Sequence, residues 1–282
     1  MLRPFRVRQS VARRVEKPKK SVEVSAQLKR VPTNLDELPA QRTRRGWMAR
    51  TAVEAEALFA CDDAMQDIFA TARGGRDLRP EHLEEPCSKL IGSLAEVGVA
   101  SWVDALRSHH DNTYRHCLVV TGVAVSFGQT LGFREADLAR ISVGSLLHDI
   151  GKALIPTELL DKNGALTDEE RFLIETHPTR GREVMLKIGA FGPEVVDIVT
   201  SHHEFLDGSG YPNRMSGSEI SDIIRLTTIA DIYAALTEDR SYRPAMTAAT
   251  ALEILEGMGP KLDMPIVRAF CRFIRKSFAD VA

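Results

Sequence analysis

The chain has 282 residues, 44 % hydrophobic and 27 % charged, which fits a globular core; aromatics at 6 % and ordinary glycine and proline content exclude a collagen-like chain and disfavour an immunoglobulin-type sandwich. A formal charge of −2 hides an asymmetry: residues 1–50 hold 14 Lys and Arg against 4 Asp and Glu, a net of +10, which leaves −12 on the remainder. No run of about 18 apolar residues predicts a transmembrane segment. Arg3, Arg6 and Arg8 interrupt any leader-like stretch, and Cys61, Cys87, Cys117 and Cys271 lack CxxC spacing, so reduced thiols and a cytoplasmic location are expected.

Residues 1–46 read as a basic, poorly ordered N-terminal tail, with a weak strand signal at "FRVRQSV". Without interleaved aromatics, the tail is not expected to bind nucleic acid sequence-specifically. Residues 47–110 read as a helical segment: Ala52, Ala55, Leu58, Phe59, Met65 and Phe69 fall at helix-like intervals. "RGGRDLRP" interrupts them, and a second helix is expected over 80–98, ending before Gly98. From 111 to 282, helix follows helix. His116, Val120, Val123 and Phe127 share one stripe; Leu138, Ile141, Ser145 and His148 share another, in a helix expected over 135–150. Thr167 and Glu170 stand in capping-box register for a helix running to His177. Pro193 suits a first turn, ahead of Val195, Val199, His202 and His203. Ile224, Thr228 and Asp231 align on a later helix, and "TAATALEILEGMG" and "MPIVRAFCRFIRKSF" complete an all-α bundle.

One polar group recurs on these apolar stripes. His116, His148 with Asp149, His177, His202 with His203, and Asp231 are spaced 25 to 32 residues apart, about one helix and its connection each. A single such histidine is usually a hydrogen-bonded core residue. Five imidazoles and two carboxylates together would be costly to bury unless a cation satisfies them. Imidazole with carboxylate and no thiolate suits Fe, Mn, Zn or Co. Seven candidates exceed what one four-coordinate zinc accepts, so two metals sharing Asp149 or Asp231 are expected. Paired ions activate water and clamp a phosphoryl group, which points to phosphoester hydrolysis.

"LLHDIGK" (146–152) resembles the signature of the HD phosphohydrolase superfamily, and with "HHEFLDGSGYP" (202–212) it resembles the HD-GYP branch, whose members hydrolyse cyclic di-GMP. "IPTELLDKNGALTDEE", "HPTRG" and "ADIYAALTEDRSYRPA" follow in the family's order. The resemblance covers about residues 111–275 and implies an HD-type helical bundle. It implies that His116, His148, Asp149, His177, His202, His203 and Asp231 are metal ligands, holding two divalent ions, Fe or Mn. It places Lys152 beside the metals as a catalytic or phosphate-binding group together with Asp149, and Gly210, Tyr211, Arg240 and Arg243 at the substrate. Gly208 and Gly210 are expected to let the loop turn tightly, and Pro212 to stiffen its exit.

Three positions depart from the family. Asn112 stands where three-metal members carry a glutamate, which favours two metals; Asn163 replaces a loop proline, and Ala234 a second aspartate. The implied activity is hydrolysis of cyclic di-GMP to pGpG and on to GMP. The alternatives are another nucleotide or cyclic dinucleotide as substrate, or a non-catalytic sensing or adaptor module. Diguanylate cyclases are the implied protein partners, and the chain is expected to be a monomer or homodimer.

Overall fold

The computed structural model describes residues 51–74, 81–106, 112–189, 191–239 and 243–279. The basic tail, its strand signal and Arg240 lie outside them. The expected all-α architecture holds: the described residues form eleven α-helices and three short 3-10 turns, with no strand among them. They are α1 (Ala52–Ala72), α2 (Glu81–Leu106), α3 (Asn112–Thr130), α4 (Glu135–Leu147), α5 (Thr157–Leu160) and α6 (Asp168–Glu175). α7 (His177–Ile188), α8 (Pro193–Ser201), α9 (Asp222–Thr237), α10 (Ala248–Gly257) and α11 (Met264–Ser277) follow. None of them is long and apolar enough to cross a membrane.

The helix ends follow local chemistry. Thr51 caps α1, its hydroxyl accepting from the Glu54 amide at 3.1 Å, a contribution of about 1 kcal/mol. The capping box forms as the spacing predicts: Thr167 Oγ1 accepts from the Glu170 amide at 3.2 Å, and Glu170 Oε2 from the Thr167 amide at 2.8 Å. Pro193 occupies the first turn of α8.

Three expected boundaries shift. Helix α2 does break at Gly98, whose φ is 75°, but the chain re-enters helix and continues to Leu106. Glycine carries the left-handed turn without a Cβ clash, so the break becomes a kink rather than an end. Helix α4 stops at Leu147, and a 3-10 turn over Ile150–Leu154 takes the chain onward. The helix expected to reach His177 stops at Glu175; His177 opens a separate helix, with Pro178 behind it in the first turn.

One apolar core runs through every helix but α5 and α6, including Leu58, Leu90, Trp102, Leu118, Phe127, Ile141, Val199, Ile229 and Phe270. Helices α1 and α2 are part of it. Trp102 on α2 is fully buried and donates its indole N–H to the Leu118 carbonyl on α3 at 2.9 Å, which ties the 47–110 segment to the rest. Helix α3 packs on α4 and α9, α8 on α4 and α7, and α7 on the 3-10 turn. Gly151 makes that last contact feasible: a Cβ there would lie 1.9 Å from the His177 carbonyl oxygen. The ends of α3, α4, α7, α8 and the body of α9 are thereby brought to one place.

Candidate metal centre

The seven residues picked from the sequence converge there. His116, His148, Asp149, His177, His202 and Asp231 are all buried, and His203 is partly so. They fall into two groups whose donor atoms lie within 4.8 Å of one another: His177, His202 and His203 in one, His116, His148 and Asp231 in the other. Asp149 joins them. Its Oδ1 is 3.2 Å from His177 Nε2 and its Oδ2 is 3.4 Å from His148 Nε2. Asp231 also reaches across, with Oδ1 2.9 Å from His116 Nε2 and Oδ2 3.7 Å from His203 Nδ1.

The backbone sets which nitrogen faces the centre. A carbonyl can only accept, so each Nδ1 facing one carries the ring proton. His148 Nδ1 donates to the Ser145 carbonyl at 2.7 Å, His177 Nδ1 to Ile174 at 2.9 Å and His202 Nδ1 to Val199 at 3.0 Å, in each case three residues back. The Nε2 lone pairs are then directed inward. Thr228 steadies this arrangement by donating its hydroxyl to the His202 carbonyl at 2.8 Å.

These residues fit a bound cation. His177 Nε2 and His202 Nε2 face each other at 3.2 Å with both ring protons already committed elsewhere, so two lone pairs meet. His148 Nε2 and Asp149 Oδ1 are buried without a hydrogen-bond partner. Buried polar atoms are rarely left in this state, and a cation between them satisfies all four.

The electrostatics separate the groups. Burial drives His202 far below the ordinary imidazole range, and burial also takes His203 down to about 3 despite the opposing Asp231 charge. For His116, burial is outweighed by the Glu238 and Asp231 carboxylates, which hold it up to about 9. Asp149 and Asp231 are desolvated yet stay ionised, because Lys152 and His148 act on the first and His116 on the second. Lys152 lies at the rim with Nζ 2.6 Å from Asp149 Oδ2, and that carboxylate keeps it charged against its burial.

The glycine loop closes one side. Gly210 sits against the chain it leaves: a Cβ there would lie 2.5 Å from the His203 oxygen, the Glu204 Cα and the Phe205 nitrogen. Gly208 has a φ of 77°, and the Tyr211–Pro212 bond is cis. The Tyr211 ring lies 4.7 Å from that of His203, and burial followed by the Asp149 and Asp231 charges keeps its phenol protonated. Arg243 lies at the C-terminal end of α9, its Nη2 donating to the Ala235 carbonyl at 2.7 Å and to Leu236 at 3.4 Å. Carbonyls at a helix C-terminus attract a cation.

Sequence reasoning missed three residues. Glu238 Oε2 is 2.8 Å from His116 Nδ1. Its only signal is its position seven residues, two helical turns, after Asp231. Buried Glu204 accepts the Asn213 amide at 2.6 Å and the Met215 amide at 3.0 Å, a strut inside the glycine loop. Cys117, read only as a reduced thiol, has its Sγ grouped with His148 and Asp149 beneath the centre, where burial keeps it protonated.

Comparison with known proteins identifies the family. A family described as HD domain matches residues 100–266. The cyclic di-GMP phosphodiesterase PA4108 of Pseudomonas aeruginosa is 30 % identical over 233 residues, covering 80 % of this chain and 56 % of the relative. The 3′3′-cGAMP-specific phosphodiesterase 3 of Vibrio cholerae is 38 % identical over 126 residues, covering 45 % of this chain and 27 % of the relative. The chain thus spans little more than half of the first relative and about a quarter of the second. Among solved structures, Bd1817, an HDG"Y"P protein from Bdellovibrio bacteriovorus, superposes with a TM-score of 0.65 at 16 % identity, covering 80 % of this chain and 72 % of that one, and so shares the fold. The motif resemblance, the helical architecture and the clustered imidazoles agree: the chain belongs to the HD domain family.

Proposed function

We propose that residues 111–282 form a dinuclear-metal phosphodiesterase that hydrolyses cyclic di-GMP to pGpG and then GMP, with the 47–110 helices packed on it. The observation that carries this reading is the Asp149 carboxylate standing between two groups of inward-facing donors, 3.2 Å from His177 and 3.4 Å from His148. When bound, two divalent cations, iron or manganese, supply the charge that ionises an attacking water and neutralises a phosphodiester. Every other role falls to the chain. Asp149 and Asp231 each reach toward both groups and hold them in register. Lys152, kept charged by Asp149, donates a hydrogen bond to a phosphate oxygen at the rim. Tyr211, protonated and stacked near His203, presents a ring face and a hydroxyl donor to a nucleotide base. Gly210 keeps that loop clear of side-chain bulk. Arg240 and Arg243 complete the site as phosphate contacts, Arg243 through the guanidinium nitrogens that do not cap α9. An intracellular messenger as substrate also implies a cytoplasmic location.

A second reading, hydrolysis of 3′3′-cGAMP, is favoured by the Vibrio relative that carries that name. Purified, metal-loaded protein offered cyclic di-GMP, 3′3′-cGAMP and simple nucleotides separates the readings. Turnover of cyclic di-GMP with pGpG accumulating first is the expected result. Binding without turnover would instead make the chain a sensor.

A further inference from the structure

Three of the five histidines are anchored at Nδ1 by neutral backbone carbonyls, and His203 Nδ1 faces Asp231 Oδ2 only at 3.7 Å. His116 alone has a carboxylate within hydrogen-bond distance of each ring nitrogen. Its Nδ1 faces the Glu238 carboxylate at 2.8 Å while its Nε2 faces Asp231 at 2.9 Å, so one helix, α9, and its first residue beyond grip both edges of the ring. The Glu238 side chain is 10 % exposed, and its second oxygen, Oε1, is buried without a partner. An anion so placed is costly unless a cation lies close by. Glu238 belongs to neither group of donors, and its side chain meets the centre at His116 Nδ1. A carboxylate behind a ligating imidazole fixes its tautomer and makes the opposite nitrogen a stronger donor than a carbonyl anchor does.

We propose that Glu238 is a positioning residue that sets the cation affinity of the His116, His148 and Asp231 group, leaving the His177, His202 and His203 group unaffected. This rests on the metal-binding reading above. The role needs no contact with substrate and does not extend to the far group, where His177 and His202 are held by backbone carbonyls.

The test is competition between Mn2+ and a chelator, with binding followed by the Mn2+ electron spin resonance signal, for wild type, Glu238→Ala and Glu238→Gln. Wild type is expected to bind two ions. Glu238→Ala should weaken one of them by about 10- to 100-fold, as for other carboxylates behind metal-bound histidines, while the other stays within about twofold. Glu238→Gln keeps an acceptor without the charge and should fall between the two. It is close to isosteric, so it decides the matter if the alanine variant fails to fold. Folded variants that bind both ions as wild type does, or that lose both equally, overturn the proposal while leaving the metal reading intact. Wild type that binds no Mn2+, nor Fe2+ under anaerobic conditions, overturns the metal reading and this inference with it.

Discussion

The two groups of donors at the centre are built on different principles. The group of His177, His202 and His203 is all imidazole; two of its rings are oriented by their own backbones, and His202 and His203 are pushed toward the neutral form. The group of His116, His148 and Asp231 contains a carboxylate and has a second, Glu238, behind it, so His116 is pulled toward the charged form. Paired sites therefore need not be equivalent. The charge-rich one attracts a cation through long-range field, whereas the neutral one relies on directed lone pairs.

The largest effect should come from removing what the groups share. Asp149→Asn is expected to cost on the order of 100- to 1000-fold in kcat, the usual toll for one preorganised charged group, and to lower occupancy of both groups by metal analysis. Loss of one ion alone would show that Asp231 is the true bridge. Lys152→Met should lower kcat by about 100-fold at full metal occupancy, consistent with loss of a positioned proton donor. If turnover survives unchanged, Lys152 only balances the Asp149 charge. Gly210→Ala forces a Cβ into backbone and should cost about 1–3 kcal/mol in thermal stability and raise KM, with metal content intact.

A further test separates the groups by pH in metal-stripped protein. His203, held down to about 3 against 6.5, contributes stability that is present above about 6.5 and is lost as the pH falls toward 3. His116, held up to about 9, contributes stability that is present below about 6.5 and is lost as the pH rises through 9. Urea unfolding across that range should show a decline at both ends, and a His116→Gln variant should flatten only the alkaline one.

Much of this was legible in the residues. Periodicity gave the helices, Thr167 and Pro193 marked two starts, and the recurrence of His and Asp on apolar stripes pointed to one buried centre. The boundary errors share a cause. His148 and His177 lie at helix ends rather than within helices, and periodicity cannot distinguish a ring at the mouth of a helix from one in its body. Arg243 reads as a phosphate ligand by motif, yet whether a guanidinium meets substrate or a helix end depends on the path of a loop, which no local pattern encodes.

The sequence by itself marked the candidate donors, because five imidazoles and two carboxylates recurring on otherwise apolar faces are costly to bury without a cation. Only the tertiary structure decided how they divide. Which Nε2 faces which carboxylate, that Asp149 spans both groups, and that Glu238 stands behind His116 across 122 residues of chain are consequences of helix packing. Side-chain direction on a helix is local, but the partner it meets is fixed by the crossing of another helix.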